Sequence, residues 1–319
     1  VKKRTTHFIA KKQAKMLKKI VIQPTGGLCN RLRAVESVLH LLKTTDKTDY
    51  ITVIWENNHE LGTPYKSLFR SNHKIKVIET LPFTGKNMLN LLHMAKVWNV
   101  IKPTEKSYHK SYKLRQILGR EKGFDKIIYQ DEMFELIKNK FDFNELKEYE
   151  SLYIVSCFDF EIDYKHKYSM DNETMTYPFS EFVVHDFVNA KIDTLISTFT
   201  DSTIGLHIRR TDHAGAIEKS PLSLFIEKMN EEISINDKTN FFLATDDKET
   251  ERELIQLFGE KIIINSDKAF DRDSEKGVQD AYIDVACLSK TSKIYGSHAS
   301  SFSETAAKMG GIKLIICEK

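Results

Sequence analysis

Residues 240–258 read NFFLATDDKETERELIQLF. The first six form a continuous apolar run of strand length, and the remainder carries apolar residues at helical spacing. A strand without polar alternation is buried on both faces, the habit of a parallel sheet covered by helices on either side. The spacing of Asp246 and Glu249 reads as a capping box that opens the helix. The same pattern continues outward. Strand-length apolar runs occur at TIGLHI (203–208), KIIIN (261–265), SKIYGS (292–297) and KLIIC (313–317). Between them, PLSLFIEKMNEEI (221–233) reads as a helix with Pro221 in its first turn. VQDAYIDVACLSK (278–290) reads as a helix with Ala281, Val285 and Leu288 along one stripe. Strands alternating with helices make this half a doubly wound α/β domain.

The first half opens in the same way. KIVIQP (19–24) reads as a strand, the following Gly-Gly as a tight turn, LCNRLRAVESVLHLLK (28–43) as a helix and YITVIW (50–55) as the next strand. KIKVI (74–78), KIIYQ (126–130) and LYIVSC (152–157) continue as strands, and 177–197 reads as a helix leading into the second half. The interval from 80 to 125 has no clear pattern and reads as an insertion lining a cleft. The expected organisation is a basic tail or linker (1–19), an N-terminal α/β domain (20–197) and a C-terminal Rossmann-like domain (198–319). A cleft at the carboxyl ends of such sheets is where doubly wound folds hold ligands.

The chain of 319 residues has a net charge of only +3. Residues 1–19 hold eight Lys or Arg and no acid; without them 40 basic residues face 45 acidic ones, a net −5. A nucleic-acid protein should have a basic folded face, so nucleic acid is not an expected partner. The tail reads as a solvated arm, with peripheral contact to an anionic membrane or RNA as the other open reading. Cys29, Cys157, Cys287 and Cys317 form no CxxC pair and read as reduced core residues, which implies a cytoplasmic location. No 18-residue apolar stretch is present, and the lysine-rich start lacks the apolar centre of a signal peptide.

Three stretches carry chemistry. HIRRTD (207–212) stands where the TIGLHI strand ends. Its adjacent guanidiniums suit a diphosphate, each gripping different oxygens, with Asp212 able to hold one of them in place; surface arginines paired with nearby acids are the alternative. TGGLCNRLR (25–33) places helix N–H groups, beginning near Gly27, where an anion or sugar hydroxyl could sit, or the glycines serve only a sharp turn. It is neither a Walker loop nor GxGxxG. GSHASSFSETA (296–306) offers hydroxyls and N–H groups for a phosphate, or plain helix capping. ATDD (244–247) lacks DxD spacing, and no His/Cys/carboxylate cluster has zinc spacing, so no metal is expected.

Together GGLCNRLR, HIRRTD, ATDD, DVACLSKTSKIYGS and SSFS resemble the fucosyltransferase superfamily that includes α1,6-fucosyltransferases, the bacterial nodulation fucosyltransferase and protein O-fucosyltransferases. The resemblance is strongest over 203–306. It implies a GT-B fold of two Rossmann-like domains, with the nucleotide sugar held mainly by the second and the acceptor on the side of the first. It further implies that Arg209 contacts the donor diphosphate and assists leaving-group departure, with Arg210 beside it and His207 against the nucleoside. Asp284 would hydrogen-bond the base, Ser300, Ser301 and Phe302 would contact phosphate and nucleoside, and Asn30 would lie near the donor and acceptor sugars. Asp246 belongs to the shared TDD run, without an assigned role. The implied reaction is an inverting, metal-independent transfer of fucose from GDP-fucose to a glycan hydroxyl, with no cofactor beyond that substrate. The base is Glu218 or Asp212; Asp212 is the weaker candidate because the neighbouring arginines should lower its pKa. A surface role for Glu218, another donor sugar such as a pentose or a different deoxyhexose, and a non-catalytic nucleotide-sugar binder remain open readings.

Overall fold

A computed structural model describes residues 17–43, 48–58, 60–80, 123–160, 179–211, 214–271 and 274–319. Asp212, most of the 80–125 interval and the basic tail up to residue 16 lie outside the described residues. The described part contains two five-stranded sheets, and every strand pairing in both is parallel.

The first sheet comprises β1 (Lys19–Pro24), β2 (Ile51–Glu56), β3 (Ile75–Thr80), β4 (Lys126–Ile128) and β5 (Ser151–Ser156), in the order β3-β2-β1-β5-β4. Its helices are α1 (Leu28–Lys43) and α2 (Gln130–Lys138). After α3 (Asp186–Ile196), the second sheet comprises β6 (Thr203–Ile208), β7 (Asn240–Thr245), β8 (Ile262–Ile264), β9 (Lys293–Gly296) and β10 (Lys313–Ile316). Its order is β10-β9-β6-β7-β8. The interleaved helices are α4 (Ala214–Lys219), α5 (Leu222–Ile235), α6 (Lys248–Phe258), α7 (Glu275–Leu288) and α8 (Ser301–Gly310).

The strands are buried as their apolar runs require. All six residues of β6 and of β5 are buried, as are Phe241, Phe242, Leu243 and Ala244 in β7. Each such large apolar side chain contributes about 1.5–3 kcal/mol through its removal from water. In both sheets the first strand lies at the centre. The second sheet winds outward from β6 to β8 and then from β9 to β10, whereas in the first the chain runs outward to β3, enters the other edge at β4 and returns inward to β5 beside β1. The winding reverses between β1 and β5 and again between β6 and β9.

Several local expectations change. The cap of α6 is Asp247, whose carboxylate accepts from Thr250 N–H (2.9 Å) and Thr250 Oγ1 (2.6 Å), not Asp246. Pro221 precedes α5 as its cap residue rather than occupying the first turn. The helix expected over 177–197 begins only at Asp186. Ahead of it the chain is extended because it pairs elsewhere: Arg70 N–H donates to Val183 O (2.7 Å) and His185 N–H to Leu68 O (3.3 Å). Within the segment expected to be a tail, Leu17 is buried and Lys19 opens β1 opposite Ser151. The four cysteines are free thiols, three of them buried. Among the described residues no helix is long and apolar enough to cross a membrane.

The two sheets share an apolar core that runs from α1, β1 and β2 through Phe69 and Phe182 to α7, with Tyr282 edge-on to Phe69 at 5.4 Å. Polar ties cross the same junction. Arg33 on α1 reaches Cys157 O (3.0 Å), Asp159 (3.5 Å) and Glu304 on α8 (3.0 Å). Lys308 on α8 also pairs with Asp159, and Gln279 on α7 donates to Ser67 O (2.8 Å).

Candidate functional site

The reversal between β6 and β9 places two loops side by side at the carboxyl end of the second sheet, and the HIRR segment is tied down from both flanks. On the β9 side, Ser297 N–H donates to His207 O (3.1 Å), and Ser297 Oγ accepts from Arg209 N–H (3.0 Å). On the β7 side, Asp246 accepts from Arg210 N–H (2.7 Å) through one oxygen and from Thr211 Oγ1 (2.7 Å) through the other. This explains why the α6 cap moves to Asp247: Asp246 is occupied holding the loop after β6. The arginine pair is split in role. Arg210 turns one guanidinium arm onto Ser220 O (3.2 Å), and Ser220 Oγ in turn accepts from His298 N–H (2.8 Å).

His207 and Phe302 form a wall, their rings stacked 4.6 Å apart at 16°. His207 is buried, and burial together with the Arg209 charge lowers its pKa to about 3. The imidazole is therefore neutral at ordinary pH. Its Nδ1 is buried and makes no hydrogen bond. Ser300 stands at the cap position of α8, yet its side chain does not cap the helix; Ser300 Oγ is buried without a partner. Ser301 begins α8 beside it. Gly296 makes this junction possible, since a Cβ there would lie 2.7 Å from Ser303 Oγ and 2.9 Å from Leu314 Cδ1.

Asp284 lies on α7, with only 5% of its surface exposed. Burial raises its pKa to about 6 against the opposing charge of Lys268. Lys268 Nζ sits 3.6 Å from Asp284 Oδ2 and 3.2 Å from Glu251 Oε2, with all three side chains largely buried. Asp284 Oδ1 and both amide atoms of Asn265, 1% exposed at the end of β8, lack a well-formed hydrogen bond, although the Asn265 amide lies close enough to Asp284 to favour its carboxylate form. An unpaired buried polar group costs about 1–3 kcal/mol. His207, Ser300, Asp284 and Asn265 each bring such a group to the carboxyl edge of this sheet.

In the first sheet the turn after β1 depends on Gly26, whose φ is +80° and whose N–H donates to Glu60 (2.9 Å). Gly27 has an ordinary backbone conformation and opens α1, its carbonyl accepting from Arg31 N–H (3.1 Å). Arg31 is fully buried and bonds Gly26 O (2.8 Å), Glu56 O (2.5 Å) and Asn58 Oδ1 (3.0 Å), which makes it a rivet for the turn. Asn30 Oδ1 is buried and has no partner. Its neighbour Cys29, pushed up to about 12 by burial, lies within range of the Arg33 and Arg209 charges, so the first turn of α1 borders the second sheet's loops.

The structure thus gathers His207, Arg209, Arg210, Asp246, Ser300, Ser301 and Phe302 at the carboxyl ends of three adjoining strands, β6, β7 and β9, and Lys268, whose charge acts on His207, links them to Asp284. Glu218 is exposed on α4 and makes no hydrogen bond among the described residues. Sequence reasoning misses Asn265, Lys268 and Glu251, and it covers Ser297 only as one hydroxyl of GSHASSFSETA. Asn265 carried a signal in principle, a polar residue closing the apolar run KIIIN at the ligand-facing end of a strand.

No protein-family model matches the chain, and no curated protein matches it in sequence. Its structure is similar to NodZ, an α-1,6-fucosyltransferase from Bradyrhizobium, in crystals soaked with GDP-fucose (TM-score 0.55, 17% identity, 92% of both chains). It is similar to the same enzyme co-crystallised with GDP (TM-score 0.54, 18% identity, 91% of both chains). It is also similar to a mutant of Arabidopsis thaliana FUT1 in complex with GDP (TM-score 0.50, 14% identity, 94% of this chain and 70% of that one). With two all-parallel five-stranded sheets and likeness over most of both chains, this chain has a fucosyltransferase-like GT-B fold.

Proposed function

We propose that this chain is an inverting, metal-independent glycosyltransferase that moves fucose from GDP-fucose to a glycan hydroxyl. The observation that carries the reading is the set of unspent buried polar groups on His207, Ser300, Asp284 and Asn265, arranged around the point where Arg209 leaves the central strand. A nucleoside diphosphate suits that arrangement. The base lies toward Asp284, the nucleoside along the His207–Phe302 wall, and the diphosphate against Arg209 and the Ser300–Ser301 start of α8. NodZ binds GDP and GDP-fucose in crystals of the same fold, which supports a guanine donor.

In this reaction the sugar C1–O bond breaks through an oxocarbenium-like state, and negative charge grows on the departing diphosphate. Arg209 neutralises that charge, a role worth about 10²–10³ in rate for a single well-aimed donor. The acceptor hydroxyl attacks the opposite face of C1, giving inversion, and surrenders its proton to Glu218 or Asp212. Residues 198–319 hold the donor, and residues 20–197, with Asn30 at their edge of the junction, present the acceptor.

The test is fucosyl transfer, or slow hydrolysis, of GDP-fucose in the presence of a chelator, alongside thermal shifts with GDP, UDP and ADP. Stabilisation by GDP and a loss of turnover of about 100-fold or more in Arg209→Ala are expected. Stabilisation by UDP alone would overturn the donor. Donor binding without turnover on any glycan would leave a binding protein, and loss of turnover on chelation would overturn metal independence.

A further inference from the structure

We propose that Asn265 and Lys268 complete the base-reading set that Asp284 begins, Asn265 by donating to the base carbonyl and Lys268 as a positioning residue that keeps Asp284 ionised. The inference rests on the donor reading above. Guanine presents, in a row along one edge, an amino donor, the N1–H donor and the O6 acceptor. Its complement is two acceptors followed by a donor. The Asp284 carboxylate supplies the acceptors, and the Asn265 amide beside it, close enough to favour that carboxylate, has a further N–H to supply as the donor. Adenine sets an acceptor where guanine has N1–H, and uracil flanks its single N–H with two acceptors, so neither fits that row.

A buried carboxylate tends to take up a proton, and a protonated Asp284 would lose half of its accepting capacity. Lys268 opposes this. Its own position is fixed: Glu251 holds it from α6 at 3.2 Å, and Phe270 lies beneath the ammonium at 5.0 Å. The loop that carries it is anchored to α7, where Asp280 accepts from Ala269 N–H (2.9 Å). The other charged or titratable groups near Asp284 work against its ionisation or are neutral. Asp280 on the same helix is paired with Lys191 (2.7 Å) and Lys276 (2.6 Å), and Cys287 and His207 carry no charge at ordinary pH.

The experiment measures binding of GDP, IDP and ADP to the full chain by calorimetry from pH 5 to pH 9. IDP lacks the amino group that Asp284 reads but keeps the carbonyl that Asn265 reads. The wild type is expected to prefer GDP over IDP and both over ADP. Asn265→Ala should weaken GDP and IDP alike, by about 10- to 100-fold, and leave their ratio unchanged. Asp284→Ala should bring the ratio toward one. Lys268→Met should move the midpoint of the GDP affinity profile to higher pH, so that the loss recovers in alkali. Glu251→Gln, which frees more of the Lys268 charge for Asp284, should move it lower, and Lys268→Arg should restore the wild-type profile. A loss flat across pH in Lys268→Met, or an unmoved midpoint in Glu251→Gln, would overturn the positioning role. Unchanged GDP and IDP binding in Asn265→Ala would overturn the reading contact. Equal binding of GDP and ADP by the wild type would overturn the donor assignment, and this inference with it.

Discussion

Replacing Asp246 separates position from charge at the loop that carries Arg209. Its two oxygens accept from Arg210 N–H and Thr211 Oγ1, each at 2.7 Å. Hydrogen bonds to a charged acceptor contribute about 1.5–3 kcal/mol each, and at this half-buried position the pair contributes about 2–4 kcal/mol to holding the loop. If the loop is released, Arg209 loses its aim, and that energy is withdrawn from the transition state. Asp246→Ala should therefore lower kcat/KM for donor turnover by roughly 30- to 900-fold. Asp246→Asn keeps the oxygen facing Arg210 and offers an amide that the Thr211 hydroxyl can accept from by rotating. It should stay within about tenfold of wild type, having lost charge but not geometry. The assay is steady-state transfer or hydrolysis of GDP-fucose with both variants, alongside thermal unfolding to confirm folding. An Asn variant as damaged as the Ala variant would show that the charge itself acts in the chemistry, and the anchoring argument would fall. Full activity in Asp246→Ala would refute it outright.

Three further outcomes follow from the packing. Arg31→Met removes the side-chain donors to Gly26 O and Glu56 O and one of those to Asn58 Oδ1 in a buried turn and should cost about 2–4 kcal/mol. Thermal unfolding should show a fall in Tm of roughly 4–12 °C, and a change below one degree would contradict its role as a rivet. Glu36, almost fully buried on α1, has its pKa raised by burial to about 7 from 4.5. The folded state thus holds that proton more tightly than the unfolded chain, a contribution complete below pH 4.5 and lost as pH rises through 7. Glu36→Gln should accordingly raise stability by about 2–3 kcal/mol at pH 8 and change little near pH 4.5, measured by Tm at both values. Phe302→Leu removes the partner of the His207 ring and should raise KM for the donor about 2- to 10-fold with kcat little changed, while Phe302→Tyr stays near wild type. A fall in kcat at constant KM would argue against a binding wall.

Much of the architecture is legible in the sequence, because a strand buried on both faces cannot hide its apolar run. NFFLAT, TIGLHI and SKIYGS occupy β7, β6 and β9 almost residue for residue. Local rules failed where a distant partner decided between equals. Asp246 and Asp247 both have helix-capping geometry within reach, and only the Arg210 N–H, 36 residues away in sequence, settles which one caps α6. Residues 179–185 have apolar spacing compatible with a helix, but backbone groups of the 68–70 segment claim them first. HIRRTD and SSF stand out as candidates because adjacent charged or small residues at strand and helix ends are unusual enough to notice, whereas Asp284, in the middle of α7, stands out only through the family resemblance. Lys268 and Glu251 are ordinary residues in polar stretches. They acquire meaning only when α6, α7 and the loop after β8 enclose them together, a juxtaposition no spacing along the chain records.

The clasp at the junction of the two sheets has a mechanical consequence. Glu304, gripped by Arg33 from the first sheet's helix, belongs to the same opening turn of α8 as Phe302, the plate lying on His207. A swivel of one half against the other cannot leave that turn behind: it either breaks the grip or drags the plate with it. In the proposed reaction, entry of an acceptor between the halves and the seating of the donor's nucleoside would therefore be geared to each other through a single helical turn.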